Sequence, residues 1–215
     1  EAFQSSMCLT RLMRKALAAE GLPENAINLV EDTSRDTATQ MMKLNGYLDV
    51  LIPRGGAGLI RSVVMNATVP VIETGTGNCH VYVDATADLE MAKNILVNAK
   101  CQRPSACNAL ETLLVDQAVA PAFIPKLMEI MNRRKVEVRG DEVFRKFAPD
   151  AKPATEDDYY AEYLDFILAA KVVSGVEDAV EHINTYGSKH SDGIISNIDG
   201  NVKYFFANVD SSTLY

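Results

Sequence analysis

Short apolar β-type runs alternate with helix-type segments along this chain, and no other feature constrains its fold as strongly. The β-type runs lie at residues 26–30, 47–52, 69–72, 79–83, 112–115, 136–138 and 193–195. Segments with helical spacing lie at residues 7–17, 34–44, 59–65, 88–100, 121–134, 176–186 and 202–209. Because strands joined by helices form βαβ units, the sequence predicts an α/β fold with a parallel sheet covered by helices on both faces.

A glycine cluster, RGGAG at residues 54–58, separates the β-type run at 47–52 from the helix-type segment that follows. In a Rossmann-type unit such a turn lets the backbone approach a cofactor phosphate at a helix N-terminus. Arg54, Gly55 and Gly56 are therefore candidate cofactor-binding residues. A plain tight turn is the alternative interpretation of the same pattern.

The loop at residues 74–78, TGTGN, divides the alternating pattern into two stretches. The first stretch has too few strands for a complete doubly wound dinucleotide fold, which has about six. We therefore predict part of a Rossmann-type domain over residues 1–75 and a second α/β domain over residues 76–215. Within the second domain, the prolines and acidic side chains of residues 148–160 predict a solvated loop.

Composition excludes several classes of protein. Hydrophobic residues make up 47% and charged residues 23% of the chain, which is typical of a folded globular protein. The formal charge of -8, from 21 Lys+Arg against 29 Asp+Glu, opposes binding to nucleic acid. No apolar run approaches the ~20 residues that span a bilayer. The first residues do not resemble a signal peptide, so we expect no membrane association and a cytoplasmic location.

The four cysteines form no metal-binding or disulfide pattern. Cys8, Cys79, Cys101 and Cys107 include no CxxC pair, and the three histidines add no familiar ligand spacing, so neither a metal site nor a disulfide is expected. Cys8 and Cys79 lie inside regular elements and are predicted to be core residues. Cys101 ends a helix, where the helix dipole disfavours a thiolate.

Cys107 is the strongest candidate nucleophile, because it lies in a loop between a helix and a strand. Pro104 disfavours the helical conformation at Arg103, so the chain must turn just before the thiol. Backbone amides around such a turn can lower the pKa of a thiol and hold an oxyanion. The alternative, left open by spacing alone, is a buried structural cysteine.

Long motifs in the chain resemble the gamma-glutamyl phosphate reductase family. They are IPRGGAGLIR at residues 52–61, PVIETG at 70–75, NAKCQRPSACNALET at 98–112, the segment at 173–195, and NVDSS at 208–212. Members of that family are longer than this chain, so the resemblance implies a fragment that lacks both ends. The family belongs to the aldehyde dehydrogenase superfamily. The expected fold is therefore the C-terminal part of an NADP-binding domain over residues 1–75 and an incomplete catalytic domain over residues 76–215.

The resemblance also implies an activity and its cofactor. The cysteine that matches Cys107 attacks L-glutamyl 5-phosphate, expels phosphate and forms a thioester, which hydride from NADPH reduces to L-glutamate 5-semialdehyde in proline biosynthesis. One oxyanion donor would be the backbone N–H of Cys107. Arg54, Gly55 and Gly56 match the turn that faces the cofactor phosphates.

Two further residues of the matched motifs have no single expected role. Glu73 matches the general base of oxidising superfamily members, and its alternatives are to orient the nicotinamide or the thiol, or to cap the turn at residues 74–75. His190 lies in the matched segment, where a bond to backbone and a contact with substrate are both open.

The resemblance suggests partners as well: L-glutamyl 5-phosphate as substrate, glutamate 5-kinase as a candidate protein partner, and a homo-oligomer for the full-length protein. Two other functions stay open. One is an ordinary aldehyde dehydrogenase, which Glu73 favours. The other is a non-catalytic homologue that binds a nucleotide or a partner.

Overall fold

The computed structural model describes residues 2–73 and 75–215, except for the side chain of Ala57. Two compact units make up the chain, Glu1–Thr74 and Gly75–Tyr215, and they divide one residue before the predicted boundary. Thr74, which the sequence places in the loop between the two domains, lies outside the described residues.

The first unit is mainly helical. Helix α1 spans Phe3–Ala19, a 3-10 turn spans Glu24–Ala26, α2 spans Arg35–Met41 and α3 spans Ala57–Asn66. The side chain of Ser34 accepts the N–H of Thr37 at 3.2 Å and so caps the start of α2. Predicted helices at residues 7–17, 34–44 and 59–65 are confirmed, each with shifted ends.

The strands predicted in this unit were wrong in extent. Among its described residues, 26–30 forms no strand, and 47–52 and 69–72 meet only at an isolated parallel bridge between Leu51 and Val71. The N–H of Leu51 donates to the carbonyl of Pro70, and the N–H of Ile72 donates to the carbonyl of Leu51, each at 2.8 Å. A single bridge between two segments makes at most a marginal sheet, and Pro70 has no N–H to extend the ladder.

The second unit contains a seven-stranded sheet in which every pairing is parallel. Its strands are β1 Cys79–Val83, β2 Leu110–Asp116, β3 Glu137–Gly140, β4 Lys152–Pro153, β5 Ile167–Val173, β6 Ser191–Ile195 and β7 Thr213–Leu214. They lie in the order β4-β3-β5-β2-β1-β6-β7. The predicted α/β fold with a parallel sheet is confirmed.

The second unit also contains six helices. They are α4 Leu89–Cys101, α5 Ala120–Arg133, α6 Glu142–Phe147, α7 Glu156–Tyr160, α8 Val176–Tyr186 and α9 Asp199–Asn208. One core packs side chains of α4, α5 and α6, including Leu96, Phe123 and Phe144, against the sheet. A second core packs Ile183 of α8 and Phe205 of α9 against the sheet. All of β2 is buried, as expected for a central parallel strand.

The predicted loop at residues 148–160 was wrong, because it contains β4 and α7. Thr155 and Asp158 form a capping box, in which each side chain bonds to the backbone of the other residue. Acidic residues in a first helical turn complement the helix dipole. The acidic composition therefore marked the start of a helix.

No helix within residues 2–73 and 75–215 is long and apolar enough to cross a membrane.

Candidate active site

Cys107 lies in an exposed loop between α4 and β2, as the sequence predicted. We call residues 102–109 the nucleophile loop. The N–H of Ala106 donates to the carbonyl of Arg103 at 3.1 Å, and the N–H of Ala109 donates to the carbonyl of Ala106 at 2.9 Å. The chain therefore makes two consecutive turns around Cys107. Because β2 begins at Leu110, the thiol lies at the amino-terminal edge of the sheet.

The backbone N–H of Cys107 is available to a ligand. Among the hydrogen bonds of the described residues, none is donated by the N–H of Cys107 or by that of Asn108. An exposed thiol next to free amide donors is the arrangement that an acyl-transfer nucleophile needs, since the amides can stabilise an oxyanion.

Gly77 contacts the backbone of Cys107 so closely that only glycine fits. A Cβ added to Gly77 would lie 1.7 Å from the carbonyl oxygen of Cys107. The N–H of Gly77 donates to Oε1 of Glu162 at 2.8 Å, which fixes the loop before β1. Sequence reasoning recognised a glycine-containing loop at residues 74–78 but missed this contact, and the glycine itself was the only signal.

Cys79 packs behind the nucleophile loop. Its side chain is only 4% exposed, which confirms the predicted core position, and its Sγ lies 3.4 Å from the carbonyl oxygen of Cys107. Burial, together with the negative charge of Asp192, raises the pKa of Cys79 to about 12. Cys79 therefore stays a thiol and supports the loop as a weak hydrogen-bond donor.

His190 contacts Cys79 and Ser191. Its Nδ1 lies 3.8 Å from the Sγ of Cys79 and 2.8 Å from the Oγ of Ser191. A side-chain partner was not among the two roles that the sequence left open for this histidine.

Asn78 ties the loop before β1 to two other segments. Its Nδ2 donates to the carbonyls of Tyr159 at 2.6 Å and Tyr186 at 2.9 Å, and its N–H donates to the Oγ of Ser188 at 2.8 Å. The Asn78 side chain is buried, so these bonds hold in a water-poor environment. Sequence reasoning gave Asn78 no role.

The two remaining cysteines are Cys8 and Cys101. Cys8 is exposed on α1, which has no buried residue, so its predicted core position was wrong. Apolar residues on α1 pack too little within this unit to bury the thiol. Cys101 ends α4, as predicted, and burial raises the pKa of its thiol.

Arg54, Gly55 and Gly56 lie together in the first unit, directly before α3. All three are exposed, and Gly56 caps the helix with φ -67° and ψ 162°. A Cβ at Gly56 would meet no atom within 4 Å, so the space in front of this helix N-terminus is open. Glu73 is exposed and follows the bridge at Val71. Their predicted contacts with a cofactor stay predictions.

A cavity of about 670 Å³ in the second unit opens beside the nucleophile loop. Ala106 and Asn108, on either side of Cys107, line it together with residues of α4, β1 and β6. The cavity extends from the amino-terminal edge of the sheet, where the thiol lies, along β1 and β6 as far as Ile195. Ligands of doubly wound sheets usually bind at the opposite edge.

Three comparisons place this chain among known proteins. Residues 2–146 match the model of the aldehyde dehydrogenase family. Gamma-glutamyl phosphate reductases of Carboxydothermus hydrogenoformans and Listeria innocua are 55% and 54% identical over all of this chain and 52% of their own length. The chain thus spans about half the length of the curated relatives it matches.

Solved structures agree with these relatives. The crystal structure of gamma-glutamyl phosphate reductase from Thermotoga maritima has a TM-score of 0.93 and 45% identity, covering 100% of this chain and 52% of that one. An engineered glycolyl-CoA reductase with bound NADP⁺ has a TM-score of 0.75 at 21% identity over 99% of this chain and 56% of its own, which shows the fold alone. The match of the family model to residues 2–146, with this fold around Cys107, shows that the chain belongs to the aldehyde dehydrogenase family.

Proposed function

We propose that this chain is part of a gamma-glutamyl phosphate reductase, an enzyme of proline biosynthesis. The reaction is the NADPH-dependent reduction of L-glutamyl 5-phosphate to L-glutamate 5-semialdehyde with release of phosphate. The observation that carries the proposal is the exposed Cys107 thiol, in a loop where the N–H groups of Cys107 and Asn108 donate to no described residue, within a chain similar over its whole length to reductases of that name.

Cys107 performs the first step. Its thiolate attacks the acyl carbon of the substrate, the C–S bond forms, and the bond from that carbon to the phosphate oxygen breaks, so phosphate leaves with the electron pair. The N–H of Cys107 donates to the carbonyl oxygen as negative charge develops on it. The product is a thioester on Cys107.

Discharge of this thioester requires a hydride, which is the chemistry that a nicotinamide cofactor supplies. Hydride addition at the acyl carbon breaks the C–S bond and returns Cys107 as a thiolate. Water must be excluded from the thioester, since hydrolysis would waste the activated acyl group.

The turn before α3 fits a cofactor phosphate. Gly55 and Gly56 have no Cβ, the space at Gly56 is open, and Arg54 adds a positive charge next to the helix N-terminus. We assign these three residues to the cofactor and Glu73 to the nicotinamide end of the same site. The choice of NADPH over NADH is part of this proposal and rests on the resemblance.

The remaining parts of the proposal concern the full-length protein. They are a homo-oligomeric state, glutamate 5-kinase as a partner that supplies the labile acyl phosphate, and a cytoplasmic location, where NADPH is available. Co-purification of the full-length protein with the kinase, and its mass by light scattering, test the first two.

Replacement of the nucleophile tests the proposal directly. In the full-length protein, Cys107→Ser should lower reductive turnover by a factor on the order of 1,000 or more, because an alcohol is a far weaker nucleophile than a thiolate. Cys8→Ser, which removes an exposed thiol from the other unit, should leave turnover unchanged. Turnover that survives the Cys107 change would rule out the thioester.

Glu73 favours a second candidate, an ordinary aldehyde dehydrogenase that hydrolyses its thioester. The carboxylate is exposed and so could activate water. That function predicts that Glu73→Gln lowers aldehyde oxidation about 100-fold or more, as loss of a general base does. Our proposal predicts less than about a tenfold effect, since no water is activated.

A further inference from the structure

Lys100 and Glu111 form an ion pair that is completely buried at the base of the nucleophile loop. The Nζ of Lys100 lies 2.7 Å from Oε2 of Glu111, and both side chains are 0% exposed. Lys100 is in the last turn of α4 and Glu111 is the second residue of β2. The pair therefore joins the two ends of the loop that carries Cys107.

Glu111 also binds a third segment of the unit. Its Oε1 accepts the N–H of Leu164 at 3.1 Å. Leu164 has φ +54°, an uncommon value for a residue with a side chain, so the bond holds an unfavourable backbone conformation. The segment is thereby fixed just before β5.

The same segment reaches back to Cys107. Glu162, two residues before Leu164, accepts the N–H of Gly77, and Gly77 lies against the carbonyl of Cys107. The contacts form a closed ring that runs from the Lys100–Glu111 pair through residues 162–164 and Gly77 to the nucleophile loop.

Stability alone does not explain a buried pair of this kind. Two charges removed from water lose solvation that their attraction only partly restores, and well-packed apolar side chains are often as stable or more so. Burial raises the pKa of Glu111 and lowers that of Lys100, while the pairing opposes both shifts. Beyond packing, the pair provides a fixed geometry. Each charged group can pair with only a few other groups, and only at short distance.

We propose that Lys100 and Glu111 are positioning residues, which hold the nucleophile loop so that the Cys107 thiolate and its own N–H act on one acyl group. The proposal rests on the proposed function of Cys107 and deepens it. Neither residue is assigned a contact with substrate.

Two reactions of Cys107 distinguish a change in the position of the nucleophile loop from a change in the exposure of the thiol. Acetyl phosphate transfers its acetyl group to the thiolate: the C–S bond forms, the acyl carbon–oxygen bond breaks and phosphate leaves, and the oxyanion formed on the way needs the N–H of Cys107. Iodoacetamide alkylates the thiolate with loss of iodide and forms no oxyanion. Peptide mass spectrometry gives both rates for this chain, with Cys8 as an exposed reference.

The test variant replaces both charges, as Lys100→Met with Glu111→Leu. Its matched control, Glu90→Leu with Lys93→Met, removes a 2.8 Å pair on the same helix whose side chains are 76% and 16% exposed. Acetylation of Cys107 should fall at least about tenfold in the test variant, since a ~1 Å misplacement can cost on the order of 100-fold. Alkylation should change less than about threefold. The control should match the parent in both rates.

Acetylation at the parental rate in a folded test variant would overturn the proposal, and so would an equal fall in both rates, which would indicate only a structural role. If the test variant does not fold, Glu111→Gln takes its place, because its amide oxygen can still accept the N–H of Leu164.

A parent that is alkylated but never acetylated would contradict the proposed function. The positioning role is then decided by amide hydrogen exchange: faster exchange over residues 102–109 in the variant supports it, and unchanged exchange refutes it.

Discussion

At the scale of single residues, the surroundings of Cys107 depend on contacts that tolerate little change. Gly77 lies against its carbonyl, and Cys79 packs behind it as a protonated thiol. The turn that Pro104 predicts between a helix and a strand made Cys107 a candidate, and its predicted loop location is confirmed, whereas its role as nucleophile rests on the family resemblance. The sequence could not predict Gly77 or Asn78, because their roles depend on contacts between residues far apart in sequence.

Gly77→Ala should therefore destabilise the chain and disturb the nucleophile. The added Cβ would lie 1.7 Å from the carbonyl oxygen of Cys107. Neither atom can rotate away, because the backbone fixes the direction of the Cβ and the oxygen is itself a backbone atom. We expect a loss of about 2 kcal/mol or more in the free energy of unfolding, measured by urea denaturation.

Gly75→Ala is the matched control, since its Cβ would meet only the carbonyl oxygen of Ser188 at an ordinary 3.9 Å. It should change the free energy of unfolding by less than about 1 kcal/mol. Equal effects of the two substitutions would contradict the close approach of Gly77 to Cys107.

At the scale of elements, helices were predicted more reliably than strands. The apolar spacing of α4, α5 and α8 and the Asp88 cap of α4 are local signals. Strand β5, Ile167–Val173, was not predicted from the sequence, because its alanines and lysine are weak strand formers. Only its position between β2 and β3 places it inside the sheet. In the first unit, the β-type runs pair with too few neighbouring segments to form strands.

Helix α8 carries a buried histidine that should make stability depend on pH. His182 is 3% exposed and packs against the rings of Tyr159 and Tyr186, with centroids 4.9 and 4.5 Å away. Burial, with smaller contributions from the charges of His80 and Lys171, lowers its pKa to about 3. The folded chain therefore keeps His182 neutral at pH values where the unfolded chain protonates it.

The sign of the effect follows from this difference. The stability that neutral His182 contributes is fully present above the unfolded pKa of about 6.5, and it is lost as the pH falls toward the folded value. Between pH 7 and 5, urea denaturation should show a loss of about 2 kcal/mol in the free energy of unfolding. His182→Leu should remove most of this dependence of the unfolding free energy on pH. If the dependence persists in the variant, groups other than His182 cause it.

At the scale of the whole molecule, the chain divides into two compact units with different tasks in the proposed reaction. The first contributes the glycine turn before α3, and the second contributes Cys107 at the amino-terminal edge of a parallel sheet. The opposite edge of that sheet is occupied by Asp84 and Asp116, which share the hydroxyl of Tyr82. The predicted boundary at residue 75 rested on the break in the strand–helix alternation at residues 74–78, although the first unit forms no extended strand among its described residues. The sequence could not show whether the site is complete, because the chain spans about half the length of its relatives.

The central claim, a thioester on Cys107 that phosphate rather than water discharges, is tested most directly by the reverse reaction. Full-length protein is mixed with L-glutamate 5-semialdehyde and NADP⁺, and the absorbance of NADPH is followed before and after phosphate is added. Without phosphate we predict a burst of about one NADPH per Cys107 that then slows, because the thioester accumulates. Phosphate should restore continuous turnover, and Cys107→Ser should show no burst. Continuous turnover without phosphate would show that water discharges the thioester and would contradict the account.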